Sequence, residues 1–235
     1  MTDFEHGAYR INVTDLEFYP TPAPLTNWLI RELQVRELLH PDQGVHDPCV
    51  GAADIVSVFR SRGEYETTGA DLNPRWSKPP QDAITSEHKA DWQVTNPPFT
   101  QALPILQQMF LNANHGVALY HRVTLREPLK GKGLGRTLFR KNPPTLTLWC
   151  PRFAHMRSRT KGIWSTDSVA CVWSVWAQGE EPHGDVSAPD YVFDALADYT
   201  PAYRSRVDHM MGLTGPEVDR RRQFIDLCST RPEAA

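Results

Sequence analysis

DWQVTNPPFT, residues 91–100, decides how this chain is read. Trp92 and Val94 alternate with polar neighbours, the period-two signature of a strand. Pro97 and Pro98 then end it. Neither can donate a ladder hydrogen bond, and each restricts the residue before it. The strand therefore stops at Asn96 and turns, leaving a polar amide and then an aromatic ring, Phe99, at the end of a sheet. A terminator needs only the prolines; a shaped polar site also needs Asn96 and Phe99.

Working outward, TQALPILQQMFLNAN (100–114) reads as a helix, with Pro104 near its start. Upstream, PLTNWLIRELQVRELLH (24–40) has apolar residues at helical spacing, and FYPTPAP precedes it. GVHDPCVGAADIVSVFRSRG (44–63) reads as strand, turn and a helix from near Ala52, and YETTGADLNP (65–74) as a strand ending at Asp71. Downstream, GVALYHRVTL, TLTLWCPRF and VACVWSVWAQG read as strands, with a basic, Gly-rich loop over 125–143. Strands alternating with helices imply an α/β fold: a mostly parallel, Rossmann-like sheet with helices on both faces. The last two strands lack an intervening helix and are expected as an antiparallel pair at one edge. Residues 1–179 are expected to form the main domain. Residues 180–235 read as an acidic, Pro-rich extension with a weakly patterned helix over 203–228.

Composition narrows the function. No run approaches eighteen apolar residues, so no membrane-spanning helix is expected. The polar, acidic start argues against a signal peptide. The four cysteines, Cys49, Cys150, Cys171 and Cys228, lack zinc-site spacing and suit reduced thiols in the cytoplasm. Net charge is −3, yet residues 122–161 hold eleven Lys or Arg and one acid, Glu127, a local +10 against −13 elsewhere. Such asymmetry marks either a solvated loop region or a surface that meets a polyanion.

Two turns carry ligand chemistry. In HDPCVGAAD (46–54) an acid ends a strand and small residues open a helix, letting a ligand approach the helix N-terminus. About twenty residues past Gly51, Asp71 ends the next strand, where a carboxylate can take ribose hydroxyls. GKGLGR (131–136) has no clear strand before it and reads as loop, not nucleotide motif.

The order FYPTP, DPCVGAAD, GADLNP, TNPPF resembles that of amino-methyltransferases that use S-adenosylmethionine, in particular adenine-N6 DNA methyltransferases; the later strands are similar to small phage and prophage enzymes of that kind. The likeness spans about residues 17–179. It implies a seven-stranded class I methyltransferase fold with NPPF at the end of the fourth strand. It also implies S-adenosyl-L-methionine as cofactor. Thr21 would hold the methionine carboxylate, with Tyr19 or Pro20 lining that pocket. Asp47 would face the methionine ammonium, and Gly51 would permit close approach. Asp71 would hold the ribose, Leu72 pack on the adenine and Asp82 meet its amine. Where the family usually has a second glycine, this chain has Ala53.

The catalytic set implied is Asn96, Pro97, Pro98 and Phe99. An exocyclic adenine amine is a poor nucleophile because its lone pair is delocalised. The Asn96 side-chain oxygen and the Pro97 carbonyl would accept its two N–H bonds and stabilise the charge that develops. Pro98 would stiffen the turn, and Phe99 would stack on the flipped base. Pro48-Cys49 is not read as the Pro-Cys nucleophile of cytosine-C5 enzymes, since it lies in the cofactor turn. Arg122, Arg126, Lys130, Lys132, Arg152, Arg157, Arg159 and Lys161 are candidate DNA phosphate contacts. RNA adenine, protein glutamine and cytosine-N4 remain alternative targets, and a silent binding module is a further one. No long recognition segment is evident, so a short site, loose specificity, a homodimer or a partner is expected.

Overall fold

The computed structural model describes residues 19–73, 76–126, 134–155, 164 and 170–210; for 134–137 only the backbone is described. Helix α1, Ala23–Val35, starts after Pro22 with a proline in its first turn. It buries Leu25, Trp28, Leu29 and Leu33, each worth roughly 1.5–3 kcal/mol against exposure. Strand β1, Gly44–Asp47, leads to helix α2, Asp54–Arg62, and strand β2, Glu66–Gly69. Strand β3, Ala90–Thr95, is followed by one 3₁₀ turn, helix α3, Ala102–Asn112, and strand β4, Ala113–Arg122. Then come helix α4, Leu134–Lys141, strands β5, Leu146–Trp149, β6, Cys171–Ala177, and β7, Gly184–Ser187, and helix α5, Asp190–Met210.

The seven strands form one sheet in the order β2-β1-β3-β4-β6-β5-β7. Every pairing is parallel except those of β6, which is antiparallel to β4 and to β5. Alternation along β4 sends Ala118 and Tyr120 into the larger core under α1, α2 and α5. Val117 and Leu119 go into the core under α3, joined by Leu138 and Phe139 of α4. Helices therefore cover both faces. None of the described helices is long and apolar enough to cross a membrane.

Four expectations change. First, the antiparallel pair is not at an edge: β6 lies between β4 and β5, and β7 takes the edge. The reason is burial on both faces, since six of the seven residues in CVWSVWA are buried; such a strand suits an interior position, whereas the polar GDVS suits an edge. Second, NPPF ends the third strand in chain order, not the fourth. The described residues between Asp71 and Lys89 form turns, consistent with Pro79 and Pro80 and a polar run. Third, the loop expected over 125–143 contains α4, because Leu138 and Phe139 find a core to pack on. Fourth, the helix expected over 203–228 starts at Asp190, and residues beyond 210 lie outside those described. Both β7 and α5 fall after residue 179; β7 extends the sheet and α5 packs on α1.

Candidate active site

The sheet changes direction at β1, with β2 on one side and β3 on the other. At such a switch the loops leaving adjacent strands diverge and open a crevice at the carboxyl ends. Here the crevice is a cleft of about 360 Å³.

The loop after β1 is held closely to the end of β2. Val50 N–H donates to the Ala70 carbonyl at 2.8 Å, and Ala70 N–H to the Asp47 carbonyl at 2.9 Å. A Cβ on Gly69 would lie 2.6 Å from a Val50 methyl, so glycine is what admits this packing. Gly51 N–H donates to Asp71 Oδ2 at 2.9 Å, and Asn73 N–H donates to Asp71 Oδ1 at 2.8 Å. Both oxygens are thereby aimed, and each keeps a second lone pair for a ligand hydroxyl. Burial pushes the Asp71 carboxyl above its ordinary range. Ala53 adopts the left-handed conformation, φ 61°, which glycine takes up without steric cost.

Asp47 is 1% exposed. Its Oδ1 accepts from the Thr95 hydroxyl at 2.6 Å and from Cys49 N–H at 3.0 Å, tying β1 to β3 across the switch. Burial dominates and raises its pKa to about 7; those two bonds oppose the rise, and the Asp71 and Asp54 carboxylates add to it. The Cys49 thiol is pushed well up by burial and by Asp47, so it is a poor nucleophile. Asp82 Oδ1 accepts Ile84 N–H at 2.9 Å and closes a turn on the cleft wall.

Asn96 also lines the cleft. Its Nδ2 group donates to the Tyr19 carbonyl at 2.7 Å and to Thr21 Oγ1 at 3.0 Å. A carbonyl accepts only, so this pairing sets which way the amide faces. Its Oδ1 is buried and has no hydrogen-bond partner among the described residues. Buried acceptors are nearly always satisfied, so this oxygen stands ready for an N–H donor.

The Tyr19–Thr21 segment is held in turn from the far end of the chain. The Pro20 carbonyl accepts from His155 Nδ1 at 3.2 Å and from the Tyr203 hydroxyl at 2.9 Å. In neutral His155, Nε2 then accepts from the Tyr120 hydroxyl, 3.1 Å away. Arg206, also on α5, pairs with Asp54 at the cleft wall. Two elements of the described C-terminal half thus brace the N-terminal side of the site.

Phe99 stacks on Tyr19 with ring centroids 5.2 Å apart and 27° between planes. The Arg122 guanidinium lies 4.6 Å from the Phe99 centroid and 5.7 Å from that of Tyr19. These three distances form a nearly equilateral triangle, so Tyr19 and Arg122 do not sit on the axis of Phe99 on opposite sides.

Tyr19, Pro20, Thr21, Asp47, Gly51, Asp71, Leu72, Asp82, Asn96 and Pro98 all line the one cleft. Pro97 and Phe99 do not, although Phe99 adjoins it through Tyr19. Of the basic candidates, Arg122 adjoins the site. Arg126 lies 5.9 Å from the Phe139 ring and donates to Thr147 Oγ1 at 3.2 Å. Arg152 is exposed on the segment after β5. Lys130, Lys132, Arg157, Arg159 and Lys161 lie outside the described residues. Trp76, Ile84, Gln101 and Ile105 also line the cleft, and His155, Tyr203 and Arg206 support it. Nothing local in the sequence marks the four wall residues, and the partners of His155, Tyr203 and Arg206 are distant in the chain. His121 is a core residue: burial lowers its pKa to about 4, and Ser174 Oγ lies 2.8 Å from its Nε2.

No protein-family model matches the sequence, and no curated relative matches it. Solved structures do. The methyltransferase subunit of a type I restriction-modification system from Streptococcus thermophilus superposes with a TM-score of 0.56 at 9% identity, over 78% of this chain and 53% of the other. The chain therefore spans about half the length of that subunit. A Listeria monocytogenes protein assigned to the class I S-adenosylmethionine-dependent methyltransferases superposes with a TM-score of 0.51 at 11% identity, over 81% of this chain and 75% of the other. The fold of this chain is that of the class I methyltransferases.

Proposed function

We propose that the chain transfers a methyl group from S-adenosyl-L-methionine to the exocyclic N6 of adenine in DNA. The observation that carries this reading is the Asn96 amide, held through Nδ2 while its buried Oδ1 has no partner among the described residues. An amine nucleophile needs such an acceptor as its nitrogen becomes tetrahedral and positive, and a preorganised acceptor avoids reorganisation at that moment.

The cleft suits the cofactor in size and donor set. Asp71 offers two aimed oxygens to the ribose. Thr21 Oγ1, which already accepts from Asn96, keeps its proton to give to the methionine carboxylate. Asp47 faces the ammonium, Leu72 packs on the adenine ring and Asp82 takes its amine. When bound, S-adenosylmethionine supplies a methyl group activated by a sulfonium. Asn96 Oδ1 and the Pro97 carbonyl accept the target amine's N–H bonds, Pro98 restrains the turn, and Phe99 stacks on the base. The nitrogen lone pair forms the new C–N bond as the C–S bond breaks, and the amine's proton leaves to solvent.

DNA is favoured as the partner by the +10 charge of residues 122–161 and by Arg122 beside the stacking ring. The restriction-modification likeness is compatible with it. Tritiated cofactor offered with DNA, RNA and protein, to wild type and Asn96→Ala, tests the reading. Label on adenine N6 of DNA, lost in the variant, is expected. Label confined to RNA, glutamine or cytosine N4 would replace the substrate. Cofactor binding without transfer to any of them would remove the activity.

A further inference from the structure

A second groove, of about 210 Å³, runs between the segment after β5 and helix α5. It is lined by Arg152, Phe153, Phe193, Ala197, Thr200 and Arg204, among others. Phe193 is 50% exposed, and both arginines are exposed. Among the described residues no carboxylate pairs with either arginine. Arg204 lies 5.5 Å from the Trp164 ring, which leaves its guanidinium edge available for hydrogen bonding.

Helix α5 is acidic near its start: Asp190 shares the groove's side of the helix, about one turn before Phe193, but does not line the groove. Phe193, Ala197, Thr200 and Arg204 fall on one stripe of the helix. At about 100° per residue, Asp194 and Asp198 turn roughly 100° or more away from Phe193. The groove wall thus combines two guanidinium groups, without a carboxylate partner among the described residues, and an exposed ring. Phosphate and a base face are the complements of those two.

The groove also communicates with the candidate active site. Phe153 in its wall lies 5.6 Å from the His155 ring, His155 lies 6.4 Å from Tyr19, and Tyr19 lies 5.2 Å from Phe99. Phe153 and His155 are buried, so these rings set how far apart the groove and Phe99 lie, a span of a few nucleotides, and not the path of a strand.

From this placement we infer that the groove binds a nucleotide flanking the target, with its phosphate on Arg152 and Arg204 and its base on Phe193. Helix α5 then contributes to substrate recognition as well as bracing the cleft, and supplies part of what a separate recognition segment would otherwise provide. The inference rests on the nucleic-acid reading proposed above.

The test uses the full chain and a fluorescent single-stranded oligonucleotide containing adenine. Arg152→Ala/Arg204→Ala and Phe193→Ala are compared with wild type for oligonucleotide Kd, its salt dependence, cofactor Kd and methyl transfer. The double variant is expected to weaken oligonucleotide binding tenfold or more and to lower the log–log salt slope by about 1–2. Phe193→Ala should weaken binding about fivefold or more without changing the slope. Cofactor affinity should be unchanged in both. Wild-type oligonucleotide affinity and slope in both variants would overturn the groove, whether or not methyl transfer occurs. Binding that depends on the groove, with transfer found only to protein, would instead overturn the substrate reading.

Discussion

The Asn96 side chain donates to the Tyr19 carbonyl across 77 residues of sequence, at 2.7 Å. That bond decides which end of the amide is free to meet a ligand. Asn96→Asp puts an oxygen where the Nδ2 donor was, so one carboxylate oxygen faces the Tyr19 carbonyl without a proton between them. The variant keeps an acceptor but loses its orientation. We expect kcat to fall by about 10²–10³-fold, with cofactor Kd changed little. Single-turnover kinetics and calorimetric titration check the two halves.

If Asp47 faces the cofactor's ammonium as proposed, cofactor affinity should depend on pH. Its folded-state pKa of about 7 lies above the usual 3.8, chiefly through burial. The folded chain therefore holds this proton where the unfolded chain has released it. The stability it contributes is fully present below pH 4 and is lost as pH rises through 7. A ligand ammonium beside Asp47 favours the carboxylate, so binding releases the proton. Cofactor Kd should tighten as pH rises from 6 to 8, with a buffer-dependent binding enthalpy. Asp47→Asn should weaken binding and remove both dependences. Equal pH profiles in the two proteins would show that Asp47 does not face the charge.

Tyr203 is 1% exposed, and its hydroxyl lies 2.9 Å from the Pro20 carbonyl and 2.9 Å from that of His155. Tyr203→Phe leaves these acceptors with one donor fewer and should cost about 1 kcal/mol, or about 2–4 °C in Tm. Thr21 and Asn96 both depend on the segment that Pro20 belongs to. Cofactor Kd and kcat should thus worsen together, unlike the result expected for Asn96→Asp. Calorimetry with steady-state kinetics separates the two.

Ala53 sits at φ 61°, where an L side chain costs roughly 1–2 kcal/mol. Ala53→Gly removes that strain and adds about 0.5–1 kcal/mol of unfolded-state entropy. The balance should raise stability by up to about 1 kcal/mol, read as a higher midpoint in urea with an unchanged slope.

What could be read from the sequence follows from range. The Asp47, Asp71 and Asn96 turns are local: acid, glycine and proline chemistry within a few residues sets each one. Strand β6 was recognisable as a strand, but its place between β4 and β5 depends on what covers Trp173 and Trp176. Strand β7 is four residues with three exposed, too short and polar for a period to show. Nothing within a few residues of His155 or Tyr203 in the sequence marks either one. Only the fold brings them to Pro20, the latter across 183 residues.

That distance has a consequence for synthesis. Ribosomes release this chain from its N-terminus, and the cleft's walls from Asp47 to Asn96 emerge long before helix α5 does. The Tyr19–Thr21 segment then lacks Tyr203, and Asp54 lacks Arg206, until the last described helix is made. A nascent chain arrested before residue 190 should bind labelled cofactor far more weakly than one arrested beyond 210 with enough linker to clear the exit tunnel. Catalytic competence would then arrive late and abruptly, as a property of the finished polypeptide.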